Sequence, residues 1–304
     1  MKLVSRKGCG LTVLVLLAAL AIAVASQWDM IQRIFLGGVK VYESEAPALP
    51  DDLPRPAVLV FSKTNGFRHE EAIPAANALF ADLAVQNGWG FFQTENGATF
   101  TPENLARFDA VVFNNVSGDV FTPDQRAALR SFIENGGGFV GIHGSGGDNS
   151  YAWDWYVNDL IGAQFIGHPM DPQFQQATLH VADASHPASA GLPAEWARTD
   201  EWYSFAASPR AKGYTVLLTI DEGSYAPEGL FGSDLKMGAD HPMVWWHCQG
   251  AGRTMYSALG HSAESYAEPE HAALLLGATR WAMRLDGDGC EPAAQQGNEG
   301  EIAR

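Results

Sequence analysis

The sequence predicts an α/β fold built on a doubly wound, mostly parallel sheet, and two observations lead to this prediction. Short apolar runs typical of buried strands alternate with segments whose apolar residues recur at helical spacing. Strand and helix follow one another at a regular rhythm, as expected when helices connect neighbouring parallel strands. A content of 46% hydrophobic and only 18% charged residues is ordinary for such a domain and argues against a disordered chain.

The first half of the predicted domain alternates four strands with three helices. We predict strands at 57–62, 89–95, 109–115 and 138–142, and helices at 70–87, 101–108 and 122–137. Thr101-Pro102 and Thr122-Pro123 suit the N-cap and first-turn positions of the second and third helices. Asn87-Gly88 is typical of the end of the first helix.

The second half is less regular. We predict a helix at 151–161, strands at 175–183, 214–221, 242–248 and 252–261, and a closing helix from about residue 270 to 284. No internal repeat and no second domain is evident, so a single domain is predicted over residues 56–285. Residues 286–304 are rich in Gly, Asp and Gln, and this composition predicts a disordered tail.

Residues 1–25 have the composition of a targeting segment. Lys2, Arg6 and Lys7 precede an apolar run from Leu11 to Ala25, which ends in the small-x-small pattern of a cleavage site. The run is shorter than the roughly 20 residues of a comfortable transmembrane helix, so a cleaved signal peptide and an uncleaved signal anchor both stay open. Either one predicts export to the periplasm or another extracytoplasmic compartment, with membrane contact only if the segment is retained.

Residues 26–55 are predicted to form a linker. An amphipathic piece from Ile31 to Leu36 is followed by a stretch with prolines between Pro47 and Pro56, which rules out regular structure there. We expect this linker to act as a stalk between the membrane and the domain.

The net charge excludes one class of partner, and the cysteines do not suggest a disulfide framework. A net charge of −16 repels phosphate backbones, so nucleic acid is excluded as a partner. The nine Trp and eight Tyr suit both a core and stacking on sugar faces. Three cysteines make a poor disulfide framework: Cys9 lies in the targeting segment, Cys248 is expected to be a buried free thiol, and Cys290 lies in the tail.

His143 stands where an open α/β sheet builds its sites. The apolar run Gly138–Ile142 suits a buried parallel strand, and ligands bind just beyond the carboxyl ends of such strands. The small residues 144–147 allow backbone and ligand to approach closely. They do not form a phosphate loop, because no Lys follows the last glycine. Ser145 lacks the GxSxG context of a nucleophile, so we expect it to line the site.

Six segments resemble the ThuA-like (trehalose utilisation) family, a branch of the class I glutamine amidotransferase-like superfamily. They are FSKTNGFRH (61–69), GGGFVGIHGSGGD (136–148), GAQFIGHP (162–169), HPASAGLP (186–193), DEWYSF (200–205) and GRTMYSALGH (252–261). The resemblance covers the predicted domain and implies a flavodoxin-like or amidotransferase-like fold. It also implies sugar catabolism, acting on oxidised disaccharides or 3-keto glycosides made by a partner sugar dehydrogenase.

One position departs from the amidotransferases. Their nucleophilic cysteine follows the strand that ends here at Ile142, and His143 takes its place. Without a thiolate, glutaminase chemistry by that route is excluded.

Four residues are candidates for catalysis. His69 ends the loop after the first strand, and His261 ends the segment GRTMYSALGH, so both should reach the sheet edge of His143. Asp200 and Glu201 are adjacent and would face opposite ways on a strand, and the family motif favours Glu201. His69, His143 and His261 are the candidate ligands of a zinc-type divalent metal, although no compact metal-binding spacing such as HExxH is present. Without metal, the same groups suit acid–base chemistry near neutral pH.

The residues predicted to bind substrate are Tyr203, Asn65, Ser145 and His168. His241 precedes a proline and is expected to be a turn residue. A histidine or glutamate could remove the acidic proton beside the carbonyl of a 3-keto sugar, a step that begins isomerisation or β-elimination, and hydrolysis also stays open. A non-catalytic sugar-binding or scaffold module derived from an amidotransferase fold is the alternative. A peptidase-like hydrolase is disfavoured because no nucleophile is apparent.

Overall fold

The computed structural model describes residues 6–148 and 153–290. Most of the predicted disordered tail and the first residues of the helix predicted at 151–161 therefore lie outside the described residues. Two helices, α1 (Arg6–Ser26) and α2 (Trp28–Phe35), precede the domain. No helix among the described residues combines the length and the apolar character needed to cross a membrane.

Eleven strands follow. They are β1 (Ala57–Phe61), β2 (Gly90–Thr94), β3 (Ala110–Asn114), β4 (Gly138–Ile142), β5 (Phe165–Gly167), β6 (Phe174–Val181), β7 (Glu195–Glu201), β8 (Ser204–Phe205), β9 (Thr215–Ile220), β10 (Pro242–Gln249) and β11 (Gly252–Ser257). Nine of them form one sheet in the order β2-β1-β3-β4-β11-β10-β9-β6-β7, and β5 pairs with β8 separately.

The sheet has a parallel part and an antiparallel part. Strands β2, β1, β3, β4 and β11 are parallel neighbours. Strands β10, β9, β6 and β7 extend this part through antiparallel pairs. The predicted α/β fold with a large parallel sheet is confirmed, and β7, which the sequence did not reveal as a strand, closes the antiparallel edge.

Helices α3 (Ala72–Asn87), α4 (Pro102–Leu105), α5 (Pro123–Glu134) and α6 (Pro269–Ala282) cover the sheet. Thr101 caps α4, and Thr122 forms a capping box with Gln125 at the start of α5, as their sequence positions predict. Gly88 ends α3 in the left-handed conformation. In the sheet order, the connection from β1 through α3 to β2 runs in one direction, and the connection from β3 through α5 to β4 runs in the opposite direction. Because such crossovers are right-handed, these two helices lie on opposite faces of the sheet.

The sheet is strongly curled, and this curl positions the site. Four strands lie between β4 and β7. At a spacing of about 4.8 Å per strand, a flat sheet would hold their ends about 24 Å apart. His143, directly after β4, nevertheless lies 3.3 Å from Glu201 at the end of β7. Register shifts between β9 and β10 mark irregular pairing of the kind that increases local twist.

The described part of the tail is bound to the domain, contrary to the prediction. Cys248 and Cys290 form a disulfide with their Cα atoms 5.2 Å apart, so Cys248 is not a free thiol. The Arg253 guanidinium donates hydrogen bonds to four backbone carbonyls, three of them in residues 286–289. Spacing along the chain did not reveal this pair, because only the tertiary fold brings Cys248 of β10 next to Cys290.

The linker is also bound to the domain over part of its length. Beyond α2 it has no regular structure, as its prolines predict. The Arg33 guanidinium donates to the Thr64 carbonyl, and the Lys63 ammonium donates to the carbonyl of Val41 and pairs with Glu43. These contacts fix residues 33–43 against the loop after β1, so this part does not act as a free stalk.

Candidate active site

Four strand ends bring His69, His143, Glu201 and His261 together. One side-chain nitrogen or oxygen from each residue lies within 4.8 Å of those of the other three. The strands that these residues follow or end, β1, β4, β7 and β11, all run in the same direction, because the four antiparallel steps from β11 to β7 restore the orientation. Their carboxyl ends therefore meet at one edge, where α/β sheets bind ligands.

Three of these atoms form a compact triangle. His143 Nε2 lies 3.2 Å from His261 Nδ1 and 3.3 Å from Glu201 Oε2, and His261 Nδ1 lies 2.9 Å from Glu201 Oε2. Ligands held tetrahedrally around zinc at 2.0–2.1 Å are separated by about 3.3–3.4 Å. The triangle thus has nearly the edge lengths of a zinc site, and two histidines with a carboxylate are a donor set that suits zinc.

His69 is the fourth member of this group. Its ring centroid lies 4.8 Å from that of His143 and 4.7 Å from that of His261. Its Nδ1 is buried and has no hydrogen-bond partner within residues 6–148 and 153–290. A buried polar atom without a partner costs free energy, and a bound cation at the cluster would give the imidazole a ligand role.

Backbone geometry around His143 sets its tautomer and allows close packing. His143 Nδ1 lies 2.8 Å from the Ala258 carbonyl, and because a carbonyl can only accept, Nδ1 carries the proton. Nε2 faces His261 Nδ1 and Glu201 Oε2, the arrangement of metal-binding histidines whose other ring nitrogen is held by a second hydrogen bond. His143 has the left-handed φ of 41°. A Cβ at the next residue, Gly144, would lie 2.8 Å from His69 Cε1, so only glycine permits this approach.

The electrostatics favour a neutral imidazole beside an ionised carboxylate. Burial lowers the pKa of His69 well below its usual value, and the neighbouring histidines lower it further. Burial alone would raise the pKa of Glu201, but hydrogen bonds from His143 and His261 outweigh it and hold the pKa far below its ordinary range. Neutral imidazole and carboxylate are the protonation states that metal binding requires.

Asp200 fixes the backbone that carries two of the cluster residues. Its carboxylate accepts hydrogen bonds from the backbone N–H groups of Glu201, Gly260 and His261. It also lies 3.1 Å from the guanidinium of Arg198, and both side chains are buried. Burial would raise the pKa of Asp200, but Arg198 and nearby donors hold it below the ordinary value, so Asp200 is ionised. The two adjacent carboxylates thus have different roles: Glu201 faces the histidines, and Asp200 fixes the backbone of the cluster residues Glu201 and His261.

Two of the predicted substrate-binding residues lie at the cluster. The Tyr203 ring stacks on His143 with centroids 4.2 Å apart, and burial raises the pKa of its phenol well above the usual value. His168 Nδ1 lies 3.1 Å from Glu201 Oε1 and 2.9 Å from the Pro169 carbonyl. Both partners are acceptors, so Nδ1 donates, and the ring is partly exposed.

The other two predicted substrate-binding residues hold the backbone. Ser145 Oγ is buried, donates to the Phe113 carbonyl and accepts from the Val116 N–H. The Asn65 amide donates to the carbonyls of Val41 and Asp119. We therefore assign Ser145 to the scaffold, since its hydroxyl both donates and accepts within the fold, whereas for Asn65 these bonds use only the amide nitrogen.

Sequence reasoning missed three residues around the site. Gln173 donates a hydrogen bond to Glu201 Oε1, and the half-exposed ring of Phe174 lies 5.0 Å from that of His261. His241 is not a simple turn residue: it is fully buried, with Nδ1 2.8 Å from Glu222 Oε1 and Nε2 2.8 Å from the Tyr203 carbonyl. Gln173 and Phe174 directly precede a strand predicted from residue 175, and that position was the only signal available for them.

Comparisons with known proteins identify a family and similar folds. A family described as ThuA, trehalose utilisation, matches residues 57–282. A crystal structure described as a ThuA-like protein from Bacteroides uniformis is similar, with 27% identity and a TM-score of 0.65, covering 78% of this chain and 95% of the other. A second, from Parabacteroides merdae, has 19% identity and a TM-score of 0.56, covering 75% and 89%, and shows the fold alone. No functionally curated protein matches the chain.

Proposed function

The chain belongs to the ThuA (trehalose utilisation) family, and from this premise we propose that it is an exported, metal-dependent enzyme acting on oxidised glycosides or disaccharides. The observation that carries the proposal is the convergence of His69, His143, Glu201 and His261 at the carboxyl edge of the sheet. Clustered imidazoles and a carboxylate at this edge favour an enzyme over a non-catalytic sugar-binding or scaffold module, which needs no such group.

His69, His143, His261 and Glu201 would hold a zinc-type divalent cation. When bound, such an ion acts as a Lewis acid that polarises a carbonyl oxygen. A 3-keto sugar presents a carbonyl of this kind, so the fit between site and substrate is chemical as well as geometric.

His168 is the candidate general base. Its Nδ1 donates to acceptors, so in the neutral imidazole Nε2 is the nitrogen with the lone pair, and the ring is partly exposed beside Glu201. In a 3-keto glycoside, Nε2 would take the proton from C2, beside the carbonyl, and the electron pair would pass to the carbonyl oxygen. The enolate then re-forms the carbonyl at C3, a double bond forms between C1 and C2, and the bond from C1 to the glycosidic oxygen breaks. The departing oxygen receives the proton from His168. Isomerisation would share the first step.

Export is supported by two features. The basic and apolar composition of residues 1–25 suits a targeting segment, and the Cys248–Cys290 disulfide suits an oxidising compartment. The substrate would come from a reaction that oxidises one sugar hydroxyl to a ketone, which is the chemistry of a sugar dehydrogenase.

Metal analysis tests the proposal directly. We expect about one equivalent of zinc or a similar ion per chain in the wild type and in His180→Ala, which removes an exposed histidine outside the cluster. His143→Ala should lose the metal and the elimination of 3-keto glycosides. A wild-type protein without metal would overturn the metal-dependent mechanism, and sugar binding without turnover would favour the binding module.

A further inference from the structure

A cavity of about 590 Å³ opens between the N-terminal segment and the loop after β1. Its volume lies in the range of small-molecule sites, about 300–1,000 Å³. Its lining residues come from α2, the bound part of the linker, the loop 63–70 and the end of β2. The residues used below are Met30, Arg33, Glu43, Lys63, Phe67 and Arg68.

Phe67 belongs to both the cavity and the candidate active site. It lines the cavity, and its ring centroid lies 4.9 Å from that of His69, which is a member of the metal-binding group. Phe67 is 47% exposed, whereas His69 is 6% exposed. One half-exposed aromatic ring therefore separates the cavity from the cluster.

The cavity walls are held in place and carry both donors and acceptors. Arg33 donates to the Thr64 carbonyl, and the buried Lys63 pairs with Glu43, so the N-terminal wall is attached to the domain. Arg68 pairs with Glu95 on the opposite side. Paired cationic and anionic groups beside an aromatic face suit an uncharged ligand that is rich in hydroxyls, because hydroxyls both donate and accept.

We infer that this cavity is a second sugar subsite, which holds the part of the substrate beyond the glycosidic bond while the oxidised ring lies at the histidine cluster. This inference rests on the proposed function and adds to it a specificity for disaccharides over simple glycosides. It also gives residues 29–43 a role in substrate binding rather than in tethering alone.

The test fills the cavity without touching the cluster. Met30 lines the cavity and is half-exposed, so Met30→Trp should occupy the space while the chain folds normally. Val85→Trp, on the exposed face of α3, is the matched control. Calorimetry would measure the binding of trehalose and of methyl α-glucoside to each full-length protein, with thermal unfolding as a check on folding.

We expect Met30→Trp to weaken trehalose binding at least tenfold, to leave methyl α-glucoside binding within twofold, and Val85→Trp to change neither. Unchanged trehalose binding in Met30→Trp, an equal loss for both sugars, or no trehalose binding by the wild type would each overturn the subsite. His143→Ala separates the two proposals. If it keeps trehalose binding but loses metal, the cluster and the subsite are independent. If it keeps its metal, the proposed mechanism fails while the Met30→Trp result still decides the subsite.

Discussion

Asp200→Asn is expected to damage both stability and metal binding, although Asp200 is not a candidate ligand. The substitution keeps the shape of the side chain but replaces one acceptor oxygen with an amide that donates. Three backbone N–H groups and the Arg198 guanidinium now converge on the carboxylate, so at least one donor would lose its partner. Arg198 would keep Glu268, 3.2 Å from its Nε, as its remaining counter-charge, and would lose the buried carboxylate 3.1 Å away.

The magnitude follows from these losses. Breaking a buried ion pair by removing one partner costs about 3–5 kcal/mol. For a domain of this size, 1 kcal/mol lowers the melting temperature by roughly 2–4 °C, so we expect a decrease of about 6–20 °C. Because Asp200 fixes the backbone of Glu201 and His261, metal affinity should also fall by about 10- to 100-fold, as for other groups that orient metal ligands.

Calorimetric unfolding and metal titration would measure the two effects. Glu195→Gln is the matched control, because Glu195 lies on the same strand with an exposed carboxylate. The double variant Arg198→Met/Asp200→Asn removes the buried cation that has lost one of its two carboxylate partners, so it should regain part of the stability but not the metal affinity. The reasoning is refuted if Asp200→Asn matches the wild type in both measurements, or if the double variant binds metal normally.

Two further predictions concern regions outside the site. Cys290→Ser should lower the free energy of unfolding by about 4 kcal/mol, because the Cys248–Cys290 bond spans 42 residues and restricts the unfolded chain. A wild-type melting temperature that does not respond to reductant would contradict this. Burial lowers the pKa of His186 to about 4, and its Nδ1 accepts from the Ala188 N–H. The unfolded chain binds the proton near pH 6.5 and the folded chain only near pH 4, so stability should fall as pH decreases through this window. His186→Asn, which keeps an acceptor, should make unfolding less pH-dependent there, and an unchanged slope would show that His186 does not contribute.

The parallel half of the molecule could be predicted from local patterns. Strands β1, β3 and β4 are short, fully buried runs, and helices α3, α4 and α5 each have a cap or a glycine that marks a boundary. Placing His143 after β4 then required only the rule that ligands bind at carboxyl strand ends. His69 followed in the same way from the loop after β1.

The antiparallel half could not be predicted in the same way. Strand β7 alternates buried and exposed residues, but Arg198 and Asp200 occupy its buried face, so its hydrophobic pattern is weak. The contact of Glu201 with His143 depends on the curl of the sheet, which no local pattern encodes. His241 and Cys290 were misjudged for the same reason: their partners, Glu222 and Cys248, are defined only by the tertiary fold.

The curled sheet also bears on how the molecule comes apart. The four cluster residues follow or end strands β1, β4, β7 and β11, so no partial structure that lacks any one of these strands can assemble the whole cluster. An ion that binds only the complete arrangement adds its free energy to the native state and little to an incompletely formed transition state. Its main effect would then be on the rate of unfolding: bound metal would prolong the lifetime of the folded protein while leaving its refolding rate nearly unchanged.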